Sequence, residues 1–137
     1  MKALFEKSRN TKMSEEEFKI LILTYPIFLV AKADGTFDED EKQLLSTILL
    51  NFLSPLYGDK IDKEQYDILI VNYLEDFEFL YKNEETFKIG FLNELKEFNQ
   101  NVKDSISSLL KEIAEISDGI DENELKVIEE LKSKYLD

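Results

Sequence analysis

Ten carboxylates crowd into two short stretches of the sequence. Asp34, Asp38, Glu39, Asp40 and Glu41 fall within eight residues, and Glu115, Asp118, Asp121, Glu122 and Glu124 within ten. Each stretch holds an Asp–Gly pair, Asp34–Gly35 in the first and Asp118–Gly119 in the second. Clustered carboxylates without sulfur or imidazole suit a hard cation bound through oxygen, such as calcium, magnesium or manganese. The chain has no Cys and no His. That excludes a thiolate nucleophile, a disulfide, the usual zinc and iron–sulfur sites and an imidazole general base. Acid–base chemistry would have to rest on carboxylates, Lys or Tyr. Carboxylate di-metal enzymes project ligands from facing helices in a bundle interior, usually with Glu-x-x-His, whereas these acids fall at helix starts. The expectation is a protein that is not an enzyme.

On the residues alone, two readings of the Asp–Gly stretches stay open. In one, the glycine ends a helix in the left-handed conformation and the acids open the next helix. Asp38 then caps the following helix with Glu41 at its third position, and Asp121 pairs with Glu124 in the same way. In the second copy Ile120 and Leu125 are spaced for a hydrophobic staple, while Lys42 takes the matching place in the first. In the other reading the stretches hold a cation. The later half of a calcium loop fits Asp34, Gly35, Phe37 and Glu41. Its earlier half fails, because the ligand positions would fall on Val30 and Lys32, and in the second copy Asp118 and Glu124 are only six apart. Neither stretch is an EF-hand. A cation held by Asp34, a backbone carbonyl and Glu41 would bind weakly, at ~10⁻⁴–10⁻³ M for calcium.

The formal net charge of −13 arises from 30 acidic and 17 basic residues. It argues against direct binding of nucleic acid, whose phosphates are held by Lys and Arg, and against docking on anionic lipid. An acidic surface suits cations, a basic protein partner, or mimicry of nucleic acid. The run ILILTYPIFLV before Ala31-Lys32-Ala33 imitates a signal-peptide core. Glu15, Glu16 and Glu17 precede it where a signal is positive, and Pro26 interrupts it. It is also too short to span a bilayer. A cytoplasmic protein without membrane insertion is expected.

These residues must be positioned by helices. The 137 residues are 43% hydrophobic, with ten Phe and six Tyr, and only four Gly and two Pro punctuate them, which favours long helices over many short strands. Residues 1–13 read as a basic, mobile arm and 14–137 as one helical domain. Ser14 with Glu17 is a capping box. It opens a helix reaching about Ala33, apolar on nearly every side and kinked by Pro26. A second helix begins at Asp38, with a stripe of Leu44, Leu45, Ile48, Leu49, Phe52 and Leu53. Asp62 with Gln65 caps a third, which reaches about Lys82. Residues 84–99 carry a fourth pattern, in which Gly90 marks a kink or a close contact. Ile106 to Ala114 and Leu125 to Tyr135 mark the last two. The predicted fold is all-α: a single-domain bundle of about six or seven helices, with a pseudo-repeat of two helix–Asp-Gly turn–helix units.

The stretch Ala31-Lys32-Ala33-Asp34-Gly35-Thr36-Phe37 to Glu41 and the stretch Ala114-Glu115-Ile116-Ser117-Asp118-Gly119-Ile120 to Glu124 are near copies of A-x-A-D-G-x-Φ-x-x-x-E. Ser117 replaces the second Ala, and the second loop is one residue shorter. With this pair, covering about a fifth of the chain, the sequence resembles the TerB-like family. That family includes tellurite-resistance proteins and the N-terminal domain of certain membrane-anchored DnaJ-type co-chaperones. The resemblance implies an all-helical bundle whose acidic surface binds divalent cations. It nominates Asp34, Glu41, Asp118 and Glu124 as metal ligands, with Asp38 and Asp121 as caps that contribute. Chemical detoxification of tellurite is not expected without thiols. The expected role is a non-enzymatic acidic module in stress resistance, acting through protein contacts, with weak calcium, magnesium or manganese binding. The alternative is an acidic inhibitor, immunity-type or nucleic-acid-mimic protein that binds a basic partner.

Overall fold

The apolar run from Phe18 to Val30 becomes α2 (Glu15–Ala31), the axis around which the other helices pack. The computed structural model describes residues 1–33, 35–116 and 121–137. Around α2 lie α1 (Lys2–Arg9), α3 (Glu39–Tyr57), α4 (Lys63–Lys82), α5 (Glu84–Leu95), α6 (Gln100–Glu115) and α7 (Glu122–Leu131). A 3₁₀ turn at Gly58–Lys60 links α3 to α4, and a π-helical turn at Lys132–Leu136 follows α7. Among the described residues there is no strand, and no helix is long and apolar enough to cross a membrane.

A helix that is apolar all round has no solvent face and must be surrounded. Twelve residues of α2 are buried, and α3, α4, α5, α6 and α7 all pack on it. Its start is the Ser14–Glu17 capping box, with Glu17 N–H donating to Ser14 Oγ at 3.1 Å and Ser14 N–H donating to Glu17 Oε1 at 2.8 Å. The helix runs on through Pro26 to Ala31. The shorter neighbours show the ordinary one-sided stripe, for example Ile106, Leu110 and Ile113 on α6. The fourth pattern ends sooner than its apolar residues suggest: α5 stops at Leu95, and a tight turn carries the chain to Asn99, whose side chain caps α6.

Residues 1–13, expected as a mobile arm, instead contain α1 packed on the bundle. Phe5 is fully buried, its ring 6.3 Å from Phe18, 6.0 Å from Phe79, 6.0 Å from Phe87 and 5.8 Å from Phe91. Four basic side chains in a dozen residues suggest a solvated tail, but the buried Phe5 ring and the Arg9–Asp76 ion pair seat this two-turn helix on the bundle. Asn10 ends α1 in the left-handed conformation at φ 56°. Gly90 makes the close contact expected of it: the Met1 thioether occupies the space that a β-carbon at position 90 would need.

Tyr25 is buried in α2 and, among the described residues, its hydroxyl finds no hydrogen-bond partner. Burial pushes the phenol's pKa well up, and the Glu84 charge adds to this. An unsatisfied buried hydroxyl costs about 1–3 kcal/mol. Tyr25→Phe is therefore expected to stabilise the fold by about 1 kcal/mol, moving the urea midpoint upward at unchanged slope. A lower midpoint would mean that the hydroxyl has a partner after all.

Candidate functional site

Capping boxes open four helices, and two of them differ from the rest. At α3, Glu41 N–H donates to Asp38 Oδ1 at 2.8 Å and Asp38 N–H donates to Glu41 Oε1 at 3.1 Å. At α7, Glu124 N–H donates to Asp121 Oδ1 at 2.7 Å and Asp121 N–H donates to Glu124 Oε1 at 3.3 Å. The boxes at Ser14 and Asp62 work in the same way, but their third-position partners are half-buried Glu17 and exposed Gln65. Glu41 and Glu124 are instead 3% and 4% exposed. Capping alone does not require burial. Both glutamates are engaged beyond the capping bond, so neither buried carboxylate is left uncompensated.

The first corner is drawn onto the core by its own sequence. Gly35, at φ 88°, adopts the left-handed backbone that glycine accepts without steric cost, and its N–H donates to Lys32 O at 2.9 Å. Phe37 then folds back, with its ring 5.3 Å from that of Phe28. This leaves Glu39 and Asp40 exposed on the first turn of α3, where acids complement the helix dipole. A shallow cleft of about 410 Å³ joins Asp40, Leu44 and Thr47 of α3 to Ile116, just past the end of α6. Ile116, next to Glu115 at the head of the second acidic stretch, thereby meets the first turns of α3.

Of the six candidate ligands, the structure brings Asp38 to Glu41 and Asp121 to Glu124, each pair as a cap. Asp34 and Asp118 lie outside the described residues, as does Ile120, the proposed staple partner of Leu125. Among the described residues no three acidic side chains converge as a metal ion would require. What the corners offer is oxygen chemistry alone: a local negative field, backbone carbonyls and exposed carboxylates.

Two features were missed in the sequence. Asp76 lies on the buried face of α4 between Tyr73 and Leu80, where it accepts a hydrogen bond from Arg9 Nε at 3.0 Å. Its spacing from Tyr73 and Phe77 was the legible signal, an acid within an apolar stripe. The second is a pair of clefts lined by cations and meeting at Lys32. In the sequence Lys32 counts only against a calcium loop, and nothing local marks it as the meeting point of two clefts. The architecture and corners define a class, an all-α bundle with paired acid-capped helix entries. Set against family models, curated proteins and solved structures, the chain finds no match.

Proposed function

We propose that this chain is a non-enzymatic docking module of the TerB-like kind, acting through protein contacts, with weak binding of a divalent cation at its two acidic corners. The observation that carries the reading is the matched burial of Glu41 and Glu124 at the capped entries to α3 and α7. A cation at the first turn would be held by Asp34 with its neighbours Asp38 and Glu41, and one at the second by Asp118 with Asp121 and Glu124. Such ions would stiffen the entries to α3 and α7 and so regulate the shape that a partner meets. The nucleic-acid-mimic alternative asks for an unbroken file of carboxylates. Ten of the 30 acids instead occupy the first turns of four separate helices, α2, α3, α5 and α7.

Calorimetric titration with calcium, magnesium and manganese tests the cation. Heat is expected at about millimolar metal, and it should be lost in a double Asp34→Asn, Asp118→Asn variant that still melts cooperatively. Silence from the wild-type chain with all three ions would remove the cation and leave only the docking role.

A further inference from the structure

The chain is strongly acidic, yet its cations are not spread evenly. Two clefts meet at Lys32. One, of about 440 Å³, lies between the end of α2, α5 and α7, over Leu29, Leu92 and Val127. The other, of about 720 Å³, runs along α4 over Phe37, Leu74 and Phe79. Among the described residues, Arg9, Lys32, Lys42, Lys82, Lys88 and Lys134 line the pair against four glutamates, in a chain with 17 basic and 30 acidic residues. Lys82 and Lys88 have no ion-pair partner among the described residues.

Aromatic faces hold three of these cations at the rims. Lys32 Nζ lies 5.2 Å from the Tyr81 ring, the Arg9 guanidinium 5.7 Å from Phe79, and Lys42 Nζ 6.0 Å from Phe37. Apolar side chains stand open beside them. Ile89 in the first cleft is 68% exposed and Val71 in the second is 51% exposed. Lys82 and Lys88, without ion-pair partners among the described residues, line the same two clefts as these open side chains. A ligand that presents apolar side chains and carboxylates would satisfy both.

We propose that the double cleft docks an acidic amphipathic segment of a partner protein. This rests on the reading of the chain as a protein-docking module and reverses the partner charge that its net charge suggests. Apolar anchors enter on either side of Lys32, and flanking carboxylates pair with Lys82 and Lys88. A basic segment would be attracted to the remaining surface but repelled here.

The test is fluorescence anisotropy of three labelled synthetic peptides with the full chain. The first places Leu and Phe at helical spacing among Glu, the second replaces every Glu with Lys, and the third replaces the apolar anchors with Ser. The Glu peptide should bind and weaken with added salt, and the anchorless one should bind at least about tenfold less tightly. Lys88→Glu and Lys82→Glu, each separately, should weaken the Glu peptide several-fold. Lys126→Glu, outside the clefts, should not. Unchanged affinity in both cleft variants would overturn the proposal. So would preference for the Lys peptide, although that outcome would leave protein docking intact and move it to another face. Tighter binding of a single-stranded oligonucleotide than of the Glu peptide would also overturn it, by making the cleft a site for phosphate.

Discussion

Phe5→Ala should lower the free energy of unfolding by about 3–5 kcal/mol, the usual cost of removing a fully buried aromatic ring. The ring is enclosed by Phe18, Phe79, Phe87 and Phe91, contributed by α2, α4 and α5, so the cavity left behind is bounded on several sides and cannot collapse by moving one helix. Such a loss is a large part of the 5–15 kcal/mol that typically stabilises a domain. Leu4→Ala is the control. Leu4 is 43% exposed on the same short helix, and a surface truncation there should change stability by no more than about 0.5 kcal/mol. Urea unfolding of the two variants reads the difference. Equal, small shifts would show that α1 unfolds independently of the bundle.

The second large effect concerns pH. Burial raises the Asp76 carboxyl from 3.8 to about 6, against the opposing pull of Arg9 and with a further upward push from Glu75. One arginine does not restore the ordinary value, because Arg9 divides its charge between Asp76 at 3.0 Å and Glu75 at 3.6 Å. The folded state then holds this proton more tightly than the unfolded chain does. As pH rises from about 4 to about 6 the unfolded form releases its proton first, so the stabilising contribution of Asp76 is present at low pH and is lost by about pH 6. The shift corresponds to at most about 3 kcal/mol. Asp76→Asn, which keeps the shape without the titration, should remove that fall, so the stability difference between variant and wild type should change across this window and level off above it. A difference independent of pH would show that Asp76 titrates as it does in water.

The fold was readable because its signals are local and repeated. Ser14 with Glu17, Asp38 with Glu41, Asp62 with Gln65 and Asp121 with Glu124 mark four helix starts, and each forms the reciprocal bonds that its spacing implies. The predominantly apolar stretch of α2 announced a surrounded helix. What escaped the sequence was tertiary. Phe5 is an isolated ring in a basic segment, and nothing local says that four other rings await it. Burial of Glu41 and Glu124 is equally invisible, since exposed Gln65 occupies the same position of the same local motif. The clefts around Lys32 combine residues from α1, α2, α3, α4, α5 and α7 with Phe37 and the turn after α7. Net charge, a sum over the whole chain, pointed away from them by concealing where the cations lie.

The aromatic nest around Phe5 also sets an order of events during synthesis. Phe5 emerges from the ribosome long before Phe79, Phe87 and Phe91 exist, so α1 has nowhere to dock until α4 and α5 have been made and brought together. An early-made helix is thus seated late, closing a contact between distant parts of the chain at the entropic cost that such loops carry. Until then the nascent chain carries the Phe5 ring without its nest. A chaperone or a competing aromatic side chain would find its opening there.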